Sequence, residues 1–506
     1  MKKIFIALMM AGATVASCDM NMTPYGALDD QTAIQTLNDC FRFRNGLYTS
    51  MRSLCTGGYI TYPEVQMDMF QGTIANGNRI GPIAEGNIVS STGEFETIWA
   101  NLYTILNAAN YIIEKADGLR TGGTLSETDL QALARYEGEA KFVRAYCYYW
   151  LADHFCQPYS EENAETDGLG IPVVTTYYPT YDSSVYPGRG TQAATYKQIE
   201  DDLADAYTAL STFEQTDRSA AAPNAIYFSS YAVRALQARV ALLKGDDTNA
   251  LAYAEDVIES GIYPLAKPNA YASMWTNDEG TEVIFRTFMS SVELGSSTGM
   301  SFLNESSNMA DYVPTYDALA MYEENDIRFN AFFTASNLNI QGTSLKAFTF
   351  SKYPGNPALI PSGELPNRMN MAKPFRTSEL YLIAAEAAYN LGQTSVANGY
   401  INDLREQRIS GYERQDLAGS ALLDLIHQER TRELIGEGFR ISDLRRWGEG
   451  FQRNPSHPEQ PALEPLLRAA GASLSYPAGD HRFVWPIPSA ELESNPQMAG
   501  QQNPGY

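Results

Sequence analysis

Apolar residues recur at steps of three and four along much of this chain, and the pattern is clearest near its C-terminal end. Between residues 373 and 391 Leu380, Ile383, Ala384, Ala387, Ala388 and Leu391 form one stripe, which predicts an amphipathic helix. Gly392 is placed to close it, and Thr394 or Ser395 to cap a second helix whose stripe is Tyr400, Ile401 and Leu404. Small residues at the contact (Ala384, Ala387, Ala388) allow close approach, as in a tetratricopeptide-type helix pair. Residues 227–244 and 249–260, joined at Gly245-Asp246, predict a second such pair. The same periodicity predicts helices over 29–52, 95–118, 129–155 and 195–210. The tyrosines within 146–149 are expected to pack in the core. The fold class that follows is mainly α, a scaffold of tetratricopeptide-like helix pairs.

Two stretches break the pattern. Residues 56–94 are rich in Gly, Asn and Tyr, and residues 262–372 in Asn, Ser, Gly and Pro, with strand-like runs at 283–288 and 347–352. Long ordered loops on a rigid scaffold commonly carry function. The first offers Tyr59, Tyr62 and Phe70 beside Asp68, Asn76, Asn78 and Arg79, rings and polar groups that suit a ligand platform. The second is the alternative location. A further Gly-, Pro- and Tyr-rich loop spans 158–190. Trp99, Trp150, Trp275, Trp447 and Trp485 each fall in a helix or motif, although Trp275 borders the second stretch.

Residues 422–450 form a third helical segment, dense in charge, in which Glu429, Arg430, Arg432, Glu433, Asp443, Arg445 and Arg446 alternate with Leu434, Ile435, Phe439, Leu444 and Trp447. Exposed pairs at helical spacing contribute only ~0.2–0.5 kcal/mol each. The interleaved apolar residues therefore predict that the arginines bridge elements. The run QERTREL-x-GEG-x-R-x-x-DLRRWG, and WPIPSAELESNPQM with QQNPGY at 485–506, resemble the C-terminal signature of SusD/RagB-like outer-membrane nutrient-binding lipoproteins of the Bacteroidetes. Trp99-x3-Tyr103 with Asn107-x2-Asn110, and Gly168 to Pro172, resemble further family positions. Gly436 departs from the pattern, where an aromatic residue is usual. The resemblance implies a surface protein that binds a nutrient and passes it to a TonB-dependent SusC-like transporter. The usual ligands of such proteins are glycans, and a minority bind peptides.

The N-terminus fits that reading. Lys2 and Lys3 precede an apolar run too short to span a bilayer, and Val15-Ala16-Ser17-Cys18 matches a bacterial lipobox. Residues 1–17 are thus expected to be a signal peptide, Cys18 the lipidated residue, 18–30 a tether and 31–506 one domain. The expected location is the outer membrane, anchored by lipid and facing the exterior. A net charge of −24 argues against nucleic acid as a partner. Four cysteines remain besides Cys18: Cys40, Cys55, Cys147 and Cys156. They could pair in an exported protein, but Cys147 and Cys156 lie too far apart along one helix to bridge each other. No cysteine or histidine spacing suggests a metal, and no cofactor fingerprint is present. Gly295-x-Ser297-x-Gly299 fits the nucleophile-elbow pattern, yet no helical pattern follows it, so a Ser/Gly loop is expected there. The readings that compete are capture of a glycan or peptide, a tetratricopeptide scaffold for protein partners, and a hydrolase, for which no site is visible.

Overall fold

The computed structural model describes residues 32–75, 80–304 and 306–506. The signal peptide, Cys18, the tether, Asn76, Asn78 and Arg79 lie outside them. Helices α1 (Leu37–Leu54) and α2 (Gly58–Val65) lead to strand β1 (Phe70–Gly72) and a short α3 (Gly81–Ala84). Then come α4 (Gly93–Thr121), α5 (Glu127–Phe155), α6 (Gln192–Glu214), α7 (Ser230–Lys244) and α8 (Asp247–Glu259). Local chemistry fixes the helix starts. Thr36 and Asp39 form a reciprocal capping box at α1, and Ser126 and Asp129 form one at α5.

Each of the helices α4 to α7 packs on the next in sequence. After α8 the chain leaves the helical frame as α9 (Pro268–Asn277), β2 (Val283–Phe285), β3 (Leu303–Asn304), β4 (Met309–Ala310) and β5 (Tyr312–Pro314). It continues through α10 (Tyr316–Ala320), α11 (Ile327–Phe332) and a hairpin of β6 (Phe333–Ile340) and β7 (Thr343–Phe350). It returns at β8 (Phe375–Arg376), which pairs antiparallel with β2 and so clasps the base of the insertion. Then α12 (Thr377–Asn390) packs on α8 and on α13 (Thr394–Glu406), and the two expected helix pairs are neighbours despite the residues between them. Ala384, Ala387 and Ala388 are fully buried. Gly245 sits at φ 76°, the left-handed geometry that ends α7 at the turn into α8. One detail differs: Gln393 occupies the N-cap of α13 without a side-chain bond, so neither Thr394 nor Ser395 caps it.

The third segment is two helices, α14 (Ser420–Leu434) and α15 (Arg440–Trp447). Between them Gly436 and Gly438 adopt φ 76° and 89°, which side chains disfavour. A Cβ at Gly436 would lie 2.4 Å from the Phe350 ring, so β7 supplies an aromatic group to the space over this glycine. The arginines do bridge. Glu433 binds Arg328, Arg376 and Arg408 at 3.0–3.1 Å, Glu282 binds Arg376 and Arg408 at 2.8 Å, and all are buried. Glu429 joins through Arg328 and Arg405 at 2.6 Å. Burial raises the Glu433 carboxyl, but Arg408, Arg376 and Arg328 outweigh it and hold it well below the usual range. This network ties the insertion to α14. Cys40, Cys55, Cys147 and Cys156 are buried free thiols. No helix among the described residues is long and apolar enough to cross a membrane.

Candidate functional site

Residues 56–94 are not an open loop. Helix α2 starts after Gly57 at φ 58° and buries Ile60, Thr61, Glu64 and Val65, so it carries no amphipathic stripe for periodicity to detect. Its two tyrosines are half-buried. Tyr59 accepts a hydrogen bond from Asn101 Nδ2 at 2.8 Å and stands edge-on to Trp150, 5.0 Å between centroids. Tyr62 folds back over Gly58, where a Cβ would sit 2.5 Å from its ring. Burial raises the pKa of both phenols.

The other expected residues turn inward. Asp68 accepts two hydrogen bonds from Arg440, at 2.8 and 2.6 Å, and this ion pair joins the segment to α15. Phe70 is fully buried, edge-on to Phe302 and Phe350. The expected platform of exposed rings is corrected accordingly: Phe70 offers no face to solvent, because β1 lies inside the fold.

What the structure brings together is the pair of non-periodic regions. Strand β1 pairs antiparallel with β5 of the insertion, Phe70 opposite Pro314 and Gly72 opposite Tyr312. Thr61 Oγ1 donates to Thr298 O at 3.2 Å, and Arg52 Nη1 donates to Phe288 O at 2.8 Å and pairs with Glu293 at 3.1 Å. Along this seam Phe288 and Val292 remain exposed, 42% and 95%. No sequence signal marked them, since a lone ring or valine in a loop has no period. Residues 295–299 belong to the seam, with no strand before Ser297 and no helix after it, so the elbow geometry is missing.

Beside Tyr59 a small cavity of about 50 Å³ is lined by Tyr59, Trp150, Arg239 and Glu437 among others. That is room for ordered water and far too little for an organic ligand. Nearby, Glu64 accepts from the Gly438 N–H at 2.8 Å while its other oxygen has no partner, and burial pushes its carboxyl up to about 7. Among the described residues no group of three or more His, Cys, Asp or Glu side chains is placed to hold a metal ion. The chemistry available at the seam is therefore contact: half-exposed rings, an amide, hydroxyls and loop carbonyls.

Comparison with known proteins places this architecture. A model described as "SusD family" matches residues 361–506, and one described as "Starch-binding associating with outer membrane" matches residues 56–242. A curated SusD-like protein of Formosa agariphila is 22% identical over 493 residues, covering 85% of this chain and 87% of that protein. A solved SusD superfamily protein of Bacteroides thetaiotaomicron is 27% identical, with a TM-score of 0.76 over 93% of this chain and all of its own. A solved protein of Bacteroides vulgatus, described as a putative sugar binding protein, is 25% identical, also with a TM-score of 0.76, over 94% of this chain and all of its own. The matches fall on both sides of the insertion and include the motifs at 428–448 and 485–506, and the chain belongs to the SusD/RagB-like family.

Proposed function

We propose that this protein is a non-catalytic outer-membrane lipoprotein that captures an oligosaccharide or polysaccharide at the cell exterior. It then delivers the ligand to a TonB-dependent SusC-like transporter. The carrying observation is the seam itself: half-exposed tyrosines on α2, in a segment joined to the 262–372 insertion by strand pairing, in a chain whose solved relatives include a putative sugar binding protein. Outer-membrane association is supported by the family model's description, and lipid anchoring by the Cys18 motif. Tyr62 is the ligand-facing ring in this reading, while Tyr59, Asp68 and Phe70 anchor the surrounding segment to Asn101, Arg440 and Phe350. Asn76, Asn78 and Arg79 stay in the proposed site on their sequence alone.

Calorimetric titration against panels of oligosaccharides and peptides tests it. Tyr62→Ala should weaken glycan binding by roughly two- to ten-fold, the loss of one stacked ring. The products should show no turnover. Binding of peptides with no response to glycans would move the protein to the peptide-binding minority, and released product would reject the non-catalytic reading.

A further inference from the structure

Away from the seam, α4 faces an extended stretch of main chain, residues 171–181, across an open groove of about 850 Å³. Among the described residues this stretch has no strand neighbour. Buried side chains hold it from beneath instead. The Tyr148 hydroxyl donates to Val174 O at 2.6 Å and accepts from Val174 N–H at 2.8 Å. Asn110 Nδ2 also donates to Val174 O, at 2.8 Å, and Arg144 Nη1 to Thr175 O at 3.2 Å. Arg144 is itself fixed by two bonds to buried Asp202, at 2.8 and 2.6 Å. The outer wall is also built: Tyr186 donates to Thr180 O at 2.9 Å and Asn495 Nδ2 to Pro187 O at 2.9 Å.

On this rigid support the chain spends exposed apolar surface. Tyr178 is 68% exposed and Tyr181 fully so, with Val185 beside them at 54%. A second hollow of about 820 Å³ adjoins the groove along Thr104 and Asn107 and adds Tyr111 and Tyr177 to its walls. Asn107 stands on the ridge common to both. It is half-buried, and its side-chain amide makes no hydrogen bond among the described residues. An ordered, exposed ring beside an unpartnered amide is a recognition surface waiting for apolar faces and hydroxyls.

We infer that this groove is a second glycan-binding site, and that its ligand is an uncharged oligosaccharide chain, with Tyr178 stacking on a sugar ring and Asn107 bonding a hydroxyl. The inference rests on the glycan reading above. Charge selects the class. Among the described residues no Lys or Arg lines the groove itself, Arg42 lying in the adjoining hollow with Asp39, and the groove's charged residue, Glu491, already accepts from Trp99 Nε1 at 3.2 Å and Asn495 Nδ2 at 3.1 Å. A sulfated or uronate chain would find no counter-charge there, on a protein of net charge −24. An added peptide strand is disfavoured by the main chain, because the carbonyls of Pro172, Val174, Thr175 and Thr176 are all taken by side chains of the helical frame. No alternating edge is left for a ladder.

The test is affinity electrophoresis through gels containing starch, xyloglucan, galactomannan, mannan or arabinoxylan, with polygalacturonate and a sulfated galactan as acidic controls. At least one neutral polymer should retard the wild type. Tyr178→Ala and Asn107→Ala should each weaken that retardation by roughly three- to ten-fold with unchanged melting temperature, and the double variant more. Equal retardation of wild type and double variant, retardation by the acidic polymers only, or none by any neutral polymer overturns the inference. If Tyr62→Ala alone weakens binding, the groove fails and the glycan reading stands. If only peptides bind in titration, the glycan reading fails first.

Discussion

Glu64→Gln should make the protein more stable at neutral and alkaline pH and leave it nearly unchanged in acid. Glu64 is 1% exposed, with one oxygen bound to Gly438 N–H and the other without a partner. Burial is the largest influence and raises the carboxyl from 4.5 to about 7, against the N–H groups of Gly438 and Gly436 and the more distant Lys352 and Arg440. A folded value above the unfolded one means that the group favours folding when protonated. Its contribution is fully present below pH 4.5 and is lost as pH rises through about 7. At ~1.4 kcal/mol per unit the interval corresponds to about 3 kcal/mol. Glutamine keeps the shape and the acceptor for Gly438 while removing the charge. Urea unfolding of both proteins from pH 4.5 to 8.5 measures the effect as a difference, in which every other titrating group cancels. The gap should open with pH and level off near 3 kcal/mol in favour of Gln above pH ~8. A flat difference, or a wild type that gains on the variant with rising pH, would refute the argument.

Other outcomes follow from the frame and its charges. Ala384→Trp, at a fully buried contact of α12, should cost about 1–3 kcal/mol or more by overpacking, read as a lower urea midpoint. Glu433→Ala leaves Arg328, Arg376 and Arg408 buried with fewer counter-charges and should cost about 3–5 kcal/mol; a loss under 1 kcal/mol would mean that water replaces the carboxylate. Glu429, held down at about 2, and Glu433, held well below 4.5, contribute stability that is present above pH 4.5 and lost as pH falls below it, so acid unfolding of the wild type should set in there. Cys18→Ala should release the folded protein from membranes, and an Ala variant that still fractionates with the outer membrane without its transporter would reject the lipid anchor.

The helical frame was legible because α13 and α8 bury one stripe each, while α12 and α7, buried on most sides, still carry apolar residues and alanines at helical spacing. Helix α2 was not legible: Gly58–Val65 is short, contains Pro63 and is buried on several sides, so composition pointed to a loop. The break between α14 and α15 was missed because two positive-φ glycines interrupt an otherwise continuous pattern. Partners far apart in sequence leave no local trace. Asp68 looked like a ligand group, and only the fold shows Arg440 bonded to it. The run Tyr177-Tyr178-Pro179-Thr180-Tyr181 was readable as a loop, but nothing in it told which rings face water.

The contact between Phe350 and Gly436 bears on how far frame and insertion can be exchanged separately. The motif has no side chain at 436, and the ring that fills the space comes from a hairpin of the insertion. Frame and insertion are therefore not interchangeable modules. Grafting a different insertion onto this frame, to give it another ligand, would leave a void over Gly436 unless the graft also brings a ring to the position of Phe350 or restores one at 436. Restoring it without trimming Phe350 would put two rings in one space. A change at either end of this contact thus calls for a matching change at the other, although 86 residues separate the two in sequence.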